Sequence, residues 1–335
     1  MQEERCFLIL PFFLLLLPAN PAPVIYCSCL LLLLLTFYGI FRAEDHSLKR
    51  FLIWPLLALT LLSTSPLFAL QKNKAPAVAP VFLTRTATRR ETRRFAYGGT
   101  VTIIGAPKGS VTLEGWPRSE VEVVADIELK AETEADLDRL AAVNNFSFDE
   151  DTNHISILTI GTHDRSYMKK TAKNFPKNLL NLPWKIDYKI KVPAITDVEI
   201  NAGHGPVNVS AFEGALRLSA IESETILTLG GGVVSATVTA GNVRFVVPVR
   251  SWRGGGADIR IAAGVLNVEL PPGFNGDIDA DILRTGKIVD NFGQLETRQK
   301  PGITERIVRA RAGAGGAFFK FTVGDGTLNF VKSGG

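Results

Sequence analysis

The chain has 335 residues, 46% of them hydrophobic and 21% charged, and a formal net charge of +4 at pH 7. So small a charge argues against a dedicated nucleic-acid-binding protein, which carries a dense basic surface. All three cysteines fall within the first 69 residues. Disulfide frameworks, thiolate metal sites and cysteine nucleophiles are therefore excluded from the rest of the chain.

The first part of the chain is strongly apolar and predicts export. Residues 1–47 form an apolar extension, which is either a transmembrane helix or the product of a mis-called start. In residues 48–69 a basic pair, Lys49–Arg50, precedes an apolar run that ends at Leu67–Ala69, as in a secretory signal peptide. The alternative is an uncleaved signal anchor that holds the protein in the membrane. Both versions place residues 71–335 in the periplasm or at the cell surface.

Residues 70–94 are predicted to be a linker rich in proline and arginine. Its arginines are interpreted either as solvated charges or as contacts with an anionic envelope polymer or lipid. These arginines are Arg85, Arg89, Arg90, Arg93 and Arg94.

From Phe95 onward apolar and polar residues alternate with the period of half-buried strands. Residues 95–195 predict a small α+β region, with one helix that begins at the capping pair Thr133 and Asp136 and a basic hairpin loop over 162–183. Residues 196–335 predict a β-repeat domain, because short strands recur about every nine residues with glycines between them. This register would bury Val243 and Val268 and expose Arg244 and Asn267.

Several segments between Phe95 and Phe330 resemble a family of bacterial adhesin-like domains, which are β-strand repeat domains of unknown function. The segments are 103–140 (IIGAPKGSVTLEGW and onward), 197–219 (DVEINAGHGPVNVSAFEGALRLS), 256–288 (GADIRIAAGVLNVELPPGFNGDIDADILRTGKI) and 326–329 (GTLN). The resemblance implies a mostly β fold, a β-solenoid of short strands with glycine corners. It also implies a non-catalytic protein that works by contact, and it brings no catalytic residues with it.

One group of acidic residues is a candidate site. Asp277, Asp279 and Asp281 alternate with apolar residues, so a strand would project all three carboxylates from one face. Such a set suits Ca²⁺, which prefers several oxygen ligands, but solubilising surface charge is the favoured explanation. No other metal or cofactor is predicted.

The predicted function is that of an exported, adhesin-like envelope protein whose partner is an envelope or extracellular polymer or a protein surface. The alternative is a polysaccharide-processing enzyme that uses the three aspartates. Three tryptophans would either stack on sugar rings or cap layers of the core: Trp116, Trp184 and Trp252.

Overall fold

The computed structural model describes residues 82–95 and 98–333. The apolar extension, the signal segment and the start of the predicted linker lie outside the described residues. Within the described ranges, no helix is both long enough and apolar enough to cross a membrane.

The described chain is mostly β, with two helices and one short 3₁₀ turn at Lys177–Leu179. The strands are β1 Leu83–Arg94, β2 Thr100–Lys108, β3 Val111–Trp116, β4 Glu120–Ala131, β5 Asn145–Asp151, β6 His154–Ile160, β7 Trp184–Pro193, β8 Asp197–His204, β9 Val207–Ser210, β10 Ala215–Thr228, β11 Gly231–Val246, β12 Arg253–Leu270, β13 Gly276–Asp290, β14 Leu295–Thr297, β15 Ile307–Ala312 and β16 Phe318–Lys332. The helices are α1 Glu134–Val143 and α2 Arg165–Thr171.

The long strands each contain a corner that divides them into two arms. The first half of β10 pairs with β8 and its second half with β9, in parallel. In β11 the buried positions are Ala236 and Val238 before the corner but Val243 and Phe245 after it. Because side chains alternate between the two faces of a strand, this odd step changes the inward-facing phase, and both arms contribute to one hydrophobic core.

Glycines line this corner from strand to strand. Gly241, Gly264, Gly326 and Gly286 are register partners in neighbouring strands, and all four have positive φ between 122° and 142°. A Cβ on Gly264 would lie 1.8 Å from the carbonyl oxygen of Gly241. No residue with a side chain fits there without moving the neighbouring strand.

Stacking in chain order, as a solenoid requires, holds only from β8 to β12. The last strand, β16, lies between β12 and β13 and pairs with both in parallel. Antiparallel pairs flank the parallel stack on both sides. On one side β15 and then β14 follow β13. On the other side β7 pairs with β3 in parallel, and β4 and β1 then follow it in antiparallel pairs. The prediction of a mostly β fold is confirmed. The sheet is open and contains both parallel and antiparallel pairs, so the predicted regular solenoid is not confirmed.

Three segments differ from the sequence predictions. Leu83–Arg94 was expected in a linker and instead forms strand β1, paired along its length with β4. The expected loop over 162–183 contains α2 and the 3₁₀ turn. The expected boundary at residue 195 falls inside one sheet, because β2 pairs with β8 and β3 with β9.

Two local predictions are met in detail. Thr133 is the N-cap of α1, and its hydroxyl accepts the backbone N–H of Asp136 at 3.2 Å. Val243 and Val268 are fully buried. Asn267 is half-buried rather than exposed, because its Oδ1 accepts a 2.8 Å hydrogen bond from Nδ2 of Asn329 in the adjacent strand.

Candidate functional site: a basic groove

The chain between β6 and β7 folds onto the sheet and forms one wall of a groove. Helix α2 begins after Asp164, whose carboxylate accepts the backbone N–H groups of Ser166 and Tyr167 at 2.8 and 3.0 Å. Met168 in the helix and Leu179 in the 3₁₀ turn are buried. These two apolar contacts anchor a segment that is otherwise rich in lysine.

The resulting cavity, here called the basic groove, has a volume of about 980 Å³. Its rim is cationic and its floor apolar, and none of the described residues that line it is acidic. The floor includes Phe175, Leu182 and Trp184, which pack against the core and stay partly exposed. The rim carries Lys108, Arg165, Lys169, Lys173 and Lys177.

None of these five rim cations forms an ion pair with a described residue. All five of these cationic side chains are exposed. Their mutual repulsion is uncompensated by any carboxylate of the groove lining. An anionic group that enters the groove would relieve it.

The arginines of β1, predicted as polymer contacts, are arranged differently. Arg85 contacts Glu134 and Asp138 of α1 at 2.5 and 2.6 Å. Arg93 contacts Glu91 and Glu150, both at 2.5 Å. These pairs fasten the edge strand to the rest of the domain.

Two of the other three arginines of that run also form ion pairs. Arg89 pairs with Glu91 and lies 4.5 Å from the ring centroid of Phe146, while Arg90 pairs with Glu122. Only Arg94 has no ion pair within the described ranges. The interpretation of this run as a linker of solvated charges is therefore corrected for four of its five members.

Trp184 differs from the other two tryptophans of the described chain. The indole N–H of Trp116 donates to the carbonyl oxygen of Glu120 at 2.8 Å, and that of Trp252 donates to Gly232 at 3.0 Å. The indole N–H of Trp184 has no hydrogen-bond partner among the described residues. Trp116 and Trp252 thus act in the structure itself, whereas Trp184 presents a free donor in the groove.

Two polar side chains lie beside Trp184. The ring of His163 is 5.4 Å from the Trp184 ring between centroids, and burial lowers the pKa of His163 although the nearby Asp164 charge raises it. Thr162 also lines the groove and is 8% exposed. Its hydroxyl oxygen is buried and finds no partner in the described part of the chain. Buried polar atoms are normally hydrogen-bonded, so this oxygen is an unused acceptor and donor.

The predicted calcium ligands form a ladder of ion pairs with arginines, here called the Asp–Arg ladder. Strand β15 pairs antiparallel with β13 and brings Arg309 and Arg311 to the aspartates, while Arg298 directly follows β14. The three guanidinium groups donate to the carboxylates: Arg311 to Asp277 at 2.8 Å, Arg298 to Asp279 at 2.7 Å, and Arg309 to Asp281 at 2.8 Å.

These ion pairs occupy the carboxylates that were predicted to bind Ca²⁺. The carboxylates are about one-fifth exposed, and each is engaged by a fixed positive charge. Across residues 82–95 and 98–333, no cluster of three or more acidic, histidine or cysteine side chains is arranged to hold a metal ion. Calcium binding and catalysis by these aspartates stay predictions.

The sequence marked the basic segment but not the groove. One signal was present, since Met168, Phe175, Leu179, Leu182 and Trp184 interrupt the lysines at short intervals. A purely solvated loop has no use for five large apolar side chains.

Comparison with known proteins gives only distant similarity. No family model and no curated protein matches the sequence. Among solved structures, a candidate cell-adhesion protein from Clostridium sporogenes is 13% identical with a TM-score of 0.32, covering 74% of this chain and 100% of that one. A candidate adhesin from Bacteroides fragilis is 10% identical with a TM-score of 0.29, covering 74% and 97%. Another from Parabacteroides distasonis is 11% identical with a TM-score of 0.23, covering 73% and 97%. All three TM-scores lie below 0.5, and neither a family nor a function follows from them.

Proposed function

We propose that this is an exported, adhesin-like protein of the cell envelope that acts by contact and binds an anionic envelope or extracellular polymer in the basic groove. The observation that carries the proposal is the set of five rim cations without a described acidic partner around a cavity of about 980 Å³. The leader-like segment at 48–69 supports export. In-register stacking from β8 to β12 with glycine corners supports a solenoid-like repeat as the scaffold.

The physical argument is one of charge complementarity. Exposed ion pairs are individually weak, each about 0.2–1 kcal/mol. A polymer with repeated negative charges meets several cations at once, and tethered contacts act in concert. Because the rim is open to solvent, salt screens these contacts strongly. The proposal therefore implies modest affinity per site and a steep dependence on ionic strength.

The test compares two groove lysines with one lysine elsewhere. We expect the purified protein to bind polygalacturonate in isothermal titration calorimetry, and we expect the double variant Lys169→Gln/Lys173→Gln to bind about three- to tenfold more weakly. The matched control is Lys189→Gln, an exposed lysine on β7 whose Nζ lies 3.6 Å from Asp126. This control should bind like the wild type.

The outcomes separate clearly. Loss of binding at high salt, together with weaker binding of the groove variant alone, supports the proposal. Equal weakening by the control variant would show that net charge, and not the groove, is recognised. Absence of binding to any anionic polymer would overturn the proposal altogether.

Export is tested separately. Fractionation of the natural protein with N-terminal sequencing should recover it outside the cytoplasm, beginning near Leu70 or Gln71 if the signal is cleaved. Membrane recovery with the leader attached would support the anchor version. Intact cytosolic protein that still begins at Met1 would contradict export.

A further inference from the structure

Resting on the proposed function, we propose that the ligand of the basic groove is an acidic polysaccharide and that Trp184 stacks on one of its sugar rings. Cations alone recognise any polyanion. The groove combines them with the indole ring of Trp184, its N–H group and the side chain of His163, and that combination matches a ring-shaped, hydroxylated and charged unit.

Trp184 is the tryptophan that is available to contact a ligand. The ring of Trp116 lies 4.9 Å from the guanidinium carbon of Arg118, and its N–H is bonded to the main chain. Trp252 is 8% exposed and packs edge-on against Phe319, with ring centroids 5.4 Å apart. Trp184 alone of the described tryptophans combines an exposed surface, a place in a groove and an indole N–H without a described partner.

The polar groups near the Trp184 ring match those of an acidic sugar. A buried tyrosine or tryptophan usually finds a partner for its polar tip, and the indole N–H of Trp184 is left to an incoming acceptor. The Thr162 hydroxyl oxygen is also unpartnered. The Thr162 oxygen is buried and is not counted as a ligand contact. A sugar hydroxyl accepts as well as donates, so it suits the indole N–H, while the carboxylate of an acidic sugar suits the rim cations.

The apolar floor of the groove favours a sugar ring over a lipid chain. An acyl chain requires a deep apolar cavity, whereas Phe175, Leu182 and Trp184 contribute only the exposed parts of side chains that already pack against the core. The cations surround this shallow floor. A flat ring flanked by charges fits the arrangement better than a buried chain.

The experiment uses probes that separate ring from charge. Polygalacturonate carries both, polyglutamate carries carboxylates without a ring, and dextran carries rings without charge. We expect wild-type affinity to be highest for polygalacturonate. The variant Trp184→Ala should lower that affinity about tenfold and leave polyglutamate binding unchanged.

Two further variants guard against a folding artefact, because Trp184 is half-buried. Trp184→Phe keeps an aromatic ring without the indole N–H, and its affinity for polygalacturonate should fall between those of the wild type and Trp184→Ala. Trp116→Phe is the matched control and should leave binding unchanged. Binding of polygalacturonate should also shift the tryptophan fluorescence of the wild type and of Trp116→Phe, but not that of Trp184→Phe.

Several results would overturn the inference without touching the proposed function. One is an equal loss of polygalacturonate and polyglutamate binding in Trp184→Ala, and another is no loss of either. Tighter binding to phosphatidylglycerol vesicles than to polygalacturonate would replace the polysaccharide with a lipid. Failure of every polyanion to bind the wild type would instead refute the proposed function itself.

Discussion

Replacing Gly264 with alanine tests the glycine corner on which both arms of the sheet depend. The new Cβ would lie 1.8 Å from the oxygen and 2.9 Å from the carbon of the Gly241 carbonyl, far inside the roughly 3.5 Å at which such atoms attract. The strands would have to separate, which weakens ladder hydrogen bonds worth about 1 kcal/mol each. A φ of 142° adds a strain of about 1–3 kcal/mol for alanine.

Together these effects predict a loss of about 3–5 kcal/mol in the free energy of unfolding. For a domain of this size the melting temperature should fall on the order of 10 °C, measured by far-UV circular dichroism. The control is Gly293→Ala, where φ is 66° and a Cβ meets nothing within 4 Å. This change isolates backbone strain and should cost only about 1–2 kcal/mol.

Comparable falls in melting temperature for the two variants would refute the reasoning. They would mean that the close approach of neighbouring strands contributes nothing beyond the backbone conformation of glycine.

Three further predictions concern charge. Val268→Asp places an unpaired carboxylate at a fully buried position and should lower the melting temperature sharply, far more than Asn267→Asp; equal effects would contradict the register. Arg284→Gln should raise the pKa of the Asp325 carboxyl, which the Arg284 hydrogen bond holds at about 2, as NMR titration would show. In the wild type this pair stabilises the fold above pH ~4 and the stabilisation fades as pH falls toward 2. The variant should show a weaker dependence, because the hydrogen bonds from Thr285 to Asp325 remain. Arg309→Met removes one guanidinium from the Asp–Arg ladder and should cost about 1–2 kcal/mol in urea unfolding; an unchanged midpoint would show that the ladder does not stabilise the fold.

The alternation of apolar and polar residues predicted the long strands from Phe95 onward and their buried faces, but it missed β1. It predicted the buried positions Val243 and Val268 because a strand has only two faces, and one of them must be apolar. It could not predict the sheet order. Every long strand has the same period, so nothing local distinguishes β13 from β16 as the neighbour of β12.

The arginine run shows a second limit of local patterns. Leu83–Arg94 has the composition of a solvated linker, yet its charges are neutralised by carboxylates far away in the chain, such as Glu134, Asp138 and Glu122. A window along the sequence contains the cations and Glu91, but not these distant partners. The same limit hid the partners of Asp277, Asp279 and Asp281, which lie 19 to 34 residues further along the chain.

Only part of the basic groove could be predicted from the sequence. Its lysines stand together in the sequence, and α2 has a clear N-cap in Asp164, but Lys108 reaches the rim from the end of another strand. The value of Trp184 emerges only by comparison with Trp116 and Trp252, whose indole N–H groups are bonded to main-chain oxygens. The hydrogen bond of Trp252 joins residues 20 positions apart and depends on tertiary contacts.

The position of β16 constrains the order in which the strands of the sheet can pair. Strand β16, which is synthesised after β12 and β13, is inserted between them. Until Phe318–Lys332 is synthesised, β13 has no parallel neighbour, and the stack can grow from β8 only as far as β12. The pairing of β13 with the parallel stack must therefore wait until β16 is available. Loss of β16 would leave a split sheet with two unpaired edges, one at β12 and one at β13.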